Sequence, residues 1–252
     1  MENVCLYYFS GSGNTLTIAK KVQQAFKDKS YECELINMED GIVRDHPYSY
    51  IGLLYPVAIQ STFPLVWEFV KNMPKTDNQK IFMISTMMLF AGGSTGPMKR
   101  AVQKNGYTPV GALELKMPSN IATDERDEKK DAAKIKEALA LATQFVEDLI
   151  QGRTKWKRIP ILSDIIRLIS KKRSIWKKIS RRIDIYTDKC TLCNQCIKEC
   201  PTKALYHFNG HIEIDHNACE CCMRCVNLCP ENAFFLYGKK VYQNTILKDT
   251  QK

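Results

Sequence analysis

The sequence predicts a doubly wound, five-stranded parallel α/β sheet followed by a small α+β domain. Three observations in its 252 residues carry that prediction. Short apolar runs alternate with amphipathic runs through residues 1–151, as strands alternate with helices around a parallel sheet. Nine of the eleven cysteines fall between Cys190 and Cys229. A strongly basic stretch, residues 152–184, separates the two regions.

The elements follow in order. "NVCLYYFS" (3–10) reads as a buried strand, and "TLTIAKKVQQAFKD" (15–28) carries apolar residues at helical spacing. "YECELINM" (31–38) and "YIGLLYPV" (50–57) are the next strands. "FPLVWEFVKNMP" (63–74) is a helix with Pro64 in its first turn, where a missing N–H costs nothing. A strand over 80–87, a helix over 96–107 and a fifth strand over 108–117 continue the alternation. Residues 124–151 form a long helix whose early acids suit the positive end of the helix dipole. The domains expected are therefore 1–151, a basic helical linker over 152–184, and a cysteine-rich domain over 185–252 with a polar tail.

Composition excludes several classes. No apolar run is long enough to span a bilayer, and the N-terminus has neither a basic n-region nor a cleavage site, so a cytoplasmic location is expected. Clustered cysteines in such a chain point to metal rather than to disulfides. Cys5 and Cys33 lie alone in apolar strands and read as small core residues. The net charge of +10 is local: residues 153–182 hold twelve Lys or Arg against one acid, Asp164. The rest of the chain is close to neutral.

The first strand runs into "SGSGNT", Ser10 to Thr15, directly before a helix. Glycines let backbone approach a ligand, and a helix N-terminus favours an anion. No Lys or Arg lies between Ser10 and Leu16, so a nucleoside triphosphate lacks its Walker lysine. Leu16 stands where a dinucleotide fingerprint wants its third glycine. A single phosphate ester needs only hydroxyls and amides, which Ser10, Ser12, Gly13, Asn14 and Thr15 supply. A capped Gly/Ser turn without ligand is the plain alternative.

Through "FSGSGNT" the first 150 residues resemble the flavodoxin family. The resemblance implies FMN, with its phosphate on Ser10, Ser12, Gly13, Asn14 and Thr15. It also implies flavin-ring contacts from two loops: Pro56, Val57, Ala58 and Ile59 in the first, Thr86, Met87, Phe90, Ala91 and Gly92 in the second. Relatives often carry an aromatic residue where this sequence has Ala58; Phe63 and Phe90 are the substitutes for stacking. Ordinary core packing is the competing role for Phe90 and for 87–89.

"CTLCNQCIKECP" places Cys190, Cys193, Cys196 and Cys200-Pro201 at spacings of two, two and three. A shift of 29 residues reproduces the run as Cys219, Cys222, Cys225 and Cys229-Pro230, and maps Ala204 onto Ala233. This resembles the bacterial ferredoxin repeat, in which the fourth cysteine ligates the other cluster. Two [4Fe-4S] clusters are implied, one on Cys190, Cys193, Cys196 and Cys229, the other on Cys219, Cys222, Cys225 and Cys200. Cys221 aligns with Leu192 and is surplus. Zinc, the alternative, rarely needs eight cysteines in this register with no histidine at ligand spacing. Asn209-Gly210 predicts a hairpin turn between the repeats.

Residues 159–183 place apolar residues on one helical face and Lys171, Lys172, Arg173, Lys177, Lys178, Arg181 and Arg182 on the other. Three readings stand: a bridging helix packed on both domains, a peripheral membrane helix with Trp176 at the boundary, or a face for an acidic redox partner. Nucleic acid is not expected, because no aromatic platform accompanies the charge.

The domain order resembles flavodoxin–ferredoxin fusion proteins of anaerobic bacteria. On that resemblance the chain is an electron carrier exchanging electrons between the clusters, FMN and a redox partner protein. An FMN- and iron–sulfur-dependent reductase of a small substrate is the alternative, and a binding module without flavin is a third. His46, His207, His211 and His216 are scattered, and no catalytic residue is identified.

Overall fold

The computed structural model describes residues 2–41, 48–89, 92–156 and 162–244. It divides into two compact units, one of residues 1–10, 14–118 and 130–171, the other of 11–13, 119–129 and 172–252.

The first unit is built on five parallel strands: β1 (Asn3–Tyr8), β2 (Glu32–Asn37), β3 (Tyr50–Pro56), β4 (Lys80–Met87) and β5 (Thr108–Lys116). Their order is β2-β1-β3-β4-β5, the flavodoxin-like arrangement, whose switch point lies between β1 and β3. Helix α1 (Asn14–Lys27) and α4 (Glu128–Ile150) cover one face. Ile18, Val22 and Phe26 of α1 and Ala142, Phe145 and Val146 of α4 pack with Val4, Leu6, Leu54, Phe82 and Ile84 of the strands. Burial of that set removes large aliphatic and aromatic groups from water, at about 1.5–3 kcal/mol for each fully covered side chain. α2 (Pro64–Asn72) and α3 (Thr95–Lys104) pack against each other, and Tyr7 meets Phe69 of α2 at 5.1 Å between ring centroids.

Gly52 in the middle of β3 has a steric reason. A Cβ there would come within 2.6 Å of Phe82 and 2.7 Å of Leu6. Pro109 is accommodated because β5 is an edge strand, and the β4–β5 register shifts at Ile81/Phe82 beside it. Gly111 leaves room for Thr154, whose hydroxyl donates to the Val110 carbonyl at 2.8 Å.

The basic stretch is not one helix in the described residues. It forms α5 (Leu162–Ser170) and α6 (Arg173–Ser180), and the units part between Lys171 and Lys172. Residues 157–161 lie outside the described set. Trp176, the boundary residue of the membrane reading, is 1% exposed.

The second unit pairs β6 (Ile183–Ile185) with β9 (Phe234–Leu236), and β9 with β10 (Lys239–Lys240), all antiparallel. β7 (Leu205–Phe208) and β8 (His211–Ile214) form a hairpin. Asn209 and Gly210 turn it with φ of 46° and 81°, as a type I′ turn requires. Short helices α7 (Gln195–Lys198) and α8 (Arg224–Leu228) complete it. The core is small: Ile183, Leu205, Ile212, Met223, Val226, Phe234, Leu236 and Val241, flanked by cysteines.

Helix α4 starts at Glu128, four residues later than expected. The residues before it bond within the second unit instead: Tyr242 N–H donates to the Ala122 carbonyl and Asn227 Nδ2 to that of Asn120.

Candidate functional site

The sequence repeat is visible in the backbone. Leu192 and Cys221 both hold positive φ, 57° and 56°; so do Asn194 and Met223, at 63° and 64°, and Lys203 and Asn232, at 52° and 49°. Each pair is 29 residues apart. Non-glycine residues occupy this region at a cost and rarely, so three matched pairs mark a shape that the surroundings impose. What the shape does is turn backbone N–H groups towards sulfur. Ala204 N–H donates to Cys200 Sγ at 3.2 Å and Ala233 N–H to Cys229 Sγ at 3.4 Å, again 29 apart.

Two partly open cavities lie among these cysteines. Cys190, Cys193, Cys196 and Cys229 line one, with Ile185, Ile212 and Phe234 among its apolar walls. Cys200, Cys219, Cys222 and Cys225 line the other, with Cys221 also at its wall. Each cavity therefore takes three thiols from one repeat and one from the other. The thiols surround space rather than converge on a point: among the described residues no three Cys, His, Asp or Glu side chains lie close enough to hold a single metal ion.

Burial dominates the electrostatics of these thiols. It pushes Cys196 up to about 11 and Cys222 up to about 12, and raises Cys225 well above the ordinary thiol value. Cys219 is held down to about 7, first because Cys221 donates to it through its thiol, and further by the Cys221 N–H at 3.4 Å. Cys221 is pushed up by the same contact. Its sulfur also lies 3.7 Å from the Trp176 carbonyl, pointing to α6.

Several supports were not legible in the motifs. Arg224, 8% exposed, donates from Nη1 to the Glu199 carbonyl at 3.1 Å and so ties the second repeat to the first. Asn227, fully buried, donates to the Met223 carbonyl at 2.8 Å and accepts from Asn244 N–H at 2.7 Å. Arg173 of α6 donates through both Nε and Nη2 to the Asn217 carbonyl, the former at 2.7 Å. In each case the donor sits where the other repeat has an unrelated residue or lies outside the repeat altogether, so the repeat pattern does not predict it.

Ser10, Asn14 and Thr15 of the first unit are buried, as is Ser12, and α1 begins at Asn14. Gly13 turns the chain with φ of 92°. Asn14 Nδ2 donates to the Pro118 carbonyl at 2.8 Å, and the Thr15 and Thr86 hydroxyls lie 2.7 Å apart. These bonds tie the loop to the carboxyl ends of β4 and β5. With no acid in the first turn of α1 and no basic residue in the loop, hydroxyls and the helix dipole form a neutral cradle suited to a phosphate ester. The donor set fits the phosphate of FMN.

The two expected ring loops are joined. Val57 N–H donates to Thr86 O at 2.8 Å, Gly93 N–H to Gln60 O at 2.6 Å, and Ser61 Oγ to Gly93 O at 3.4 Å. Thr62 Oγ1 donates back to Pro56 O at 2.9 Å. Ala58 and Ser61 exchange backbone hydrogen bonds around Ile59 and Gln60, at φ of 50° and 55°. A β-branched residue at positive φ is strained, and Ile59 sits at the tip of a loop at the carboxyl edge of the sheet, where such strain gathers at ligand sites. Phe63, the expected substitute for an aromatic at Ala58, is 3% exposed and packs edge-on to Phe9 at 5.3 Å. Its ring is part of the core. Met87 ends β4, and Gly92 precedes Gly93 in the second loop; Phe90 and Ala91 lie outside the described residues.

Comparison with known proteins places a 4Fe-4S binding domain over residues 183–206. No curated protein sequence matches the chain. Solved structures similar to it include a short-chain flavodoxin associated with a non-canonical PDU bacterial microcompartment, 11% identical over 61% of this chain and 100% of that one, TM-score 0.45. Flavodoxin 2 from Bacillus cereus is 14% identical over 59% of this chain and 98% of that one, TM-score 0.44. A variant flavodoxin from Fusobacterium nucleatum, bound to flavin mononucleotide, is 16% identical over 60% and 94% respectively, TM-score 0.40.

Proposed function

We propose that this chain is an electron-transfer protein that holds two [4Fe-4S] clusters and one FMN and exchanges electrons with a redox partner protein. The observation that carries the reading is the pair of cavities, each lined by four repeat cysteines with the fourth contributed by the other repeat. Four thiols around a cavity suit a polynuclear centre; a lone zinc at about 2.3 Å from each sulfur would need them drawn to one point. When bound, the clusters supply one-electron exchange and the flavin one- or two-electron exchange.

The chain's own residues do three things in this reading. Cys190, Cys193, Cys196 and Cys229 hold the first cluster, and Cys219, Cys222, Cys225 and Cys200 the second. Ala204 and Ala233 N–H groups bond to the Cys200 and Cys229 sulfurs that would ligate the clusters, a lever on reduction potential, while Ile185, Ile212 and Phe234 would keep water from the first site. Ser10, Ser12, Gly13, Asn14 and Thr15 hold the FMN phosphate, with Pro56, Val57, Ala58, Ile59, Thr86, Met87 and Gly92 flanking the ring.

Anaerobic purification followed by iron, sulfide and flavin analysis tests the reading. Near eight irons, eight sulfides and one FMN per chain are expected. A chain that binds zinc in place of iron, or that carries iron but takes up no FMN on reconstitution, overturns it. Turnover of a small acceptor by the isolated protein assigns it to the reductases instead.

A further inference from the structure

Helix α5 is turned inside out relative to its own sequence. Its polar residues face the first unit: Ser163 and Ser170 are 1% and 2% exposed, and Asp164 pairs with Arg100 of α3. Arg167 lies flat over the Trp67 ring, 4.0 Å from its centroid, and burial lowers its pKa. The Trp67 indole N–H in turn donates to Ser61 Oγ at 3.3 Å. Gly93 admits the helix closely, since a Cβ there would come within 2.8 Å of Ile166 and 2.9 Å of the Arg167 nitrogen. These contacts hold the rotation of α5. Rolling it to bury its apolar stripe would break the Asp164 pair and lift Arg167 off Trp67.

The outward stripe is therefore Ile165, Leu168 and Ile169, spaced i, i+3 and i+4 and 51%, 66% and 51% exposed. A surface helix ordinarily buries such a stripe. The same unit exposes Met88 and Leu89, at 47% and 71%, in the loop that Gly93 closes. Immediately after the stripe come Lys171, Lys172 and Arg173, all exposed.

We propose that α5 docks this protein onto an anionic phospholipid bilayer, lying in the interface with Ile165, Leu168 and Ile169 among the upper acyl chains. The stripe is purely aliphatic, its one acidic neighbour Asp164 is paired with Arg100, and the exposed charges that follow it in sequence, Lys171 and Lys172, are basic. Protein-binding surfaces instead gather aromatic and Arg anchors at the centre of the patch. An aliphatic face with a basic flank is the chemistry of an interfacial helix on anionic headgroups. Nine residues give a helix of about 13 Å, long enough to lie flat and far too short to cross. The inference does not depend on the electron-transfer reading, because cofactor content is measured apart from binding.

The test is flotation of the full-length, cofactor-loaded protein with vesicles of phosphatidylcholine alone or phosphatidylcholine with phosphatidylglycerol. Flotation is expected with the anionic vesicles only, falling on the order of tenfold from low to high salt. Leu168→Glu with Ile169→Glu removes it, and Lys171→Gln with Lys172→Gln weakens it several-fold, both with unchanged melting temperature, iron and flavin. No flotation at low salt, or equal flotation with neutral vesicles, overturns the proposal. So does a concentration-dependent dimer, seen by sedimentation, that Leu168→Glu abolishes, since a second copy would then cover the stripe.

Discussion

Cys219, Cys221 and Cys222 crowd one turn of the second repeat and line the same cavity, and the repeat register separates their roles. Cys221 sits at the positive-φ position matched by Leu192, which has no metal-binding group, and its sulfur faces the Trp176 carbonyl. Cys222 is pushed up to about 12 by burial and stands with Cys200 and Cys219. Cys221→Ser is therefore expected to retain the full iron of the parent protein, whereas Cys222→Ser loses about half of it, read by iron analysis and by the visible absorbance of the clusters. Equal loss in both variants would move the ligand register by one residue. The raised thiol values also set a sign. A thiol that keeps its proton to high pH must release it to bind iron, so reconstitution weakens as pH falls. On the proposed ligand register, Cys219, held near 7, needs the least help. That difference arises from the neighbouring Cys221 N–H and thiol, which spacing alone does not reveal.

At the level of elements, strands and the helices that cover them were readable because their apolar patterns match their burial. β1, β3 and β4 are continuous apolar runs and are buried on both faces, as parallel strands must be. The basic stretch was not readable in the same way. No Gly or Pro lies between Ser170 and Arg173, yet the helix breaks there, because α5 and α6 each answer to a different set of partners. α5 follows Arg100 and Trp67 rather than its apolar stripe. α6 behaves as periodicity expects and buries Trp176, while Ser180 donates to the Lys177 and His216 carbonyls. Its anchoring depends on that indole. Trp176→Ala should cost about 3–5 kcal/mol and release α6. Hydrogen exchange would show it as lost protection over 173–180, together with faster exchange at Cys221, whose thiol faces the Trp176 carbonyl. Unchanged protection would mean that the Arg173–Asn217 bonds alone hold the helix.

Across the whole molecule, the two units differ in what stabilises them. The first has a sheet covered on both faces and a large apolar core that owes nothing to metal. The second has eight buried apolar residues in its core, three strand pairings of two to four residues, and two cysteine-lined cavities. A core that small supplies little net stability, and such domains fold on disulfides or metal. Its thiols form no disulfides, so on the proposed reading the two clusters act as the staples, each cross-linking one repeat to the other through Cys200 or Cys229. The loaded protein is thus expected to show two calorimetric transitions. Anaerobic chelation of iron should abolish one of them and leave the other at the same temperature, because metal binding free energy is folding free energy only for the unit that contains the ligands. Circular dichroism after chelation should retain most of the helical signal, which α1 to α5 of the first unit provide. A single transition that shifts as a whole on chelation would show instead that the two units fold as one cooperative block, and the second unit would then draw its stability from the first rather than from its clusters.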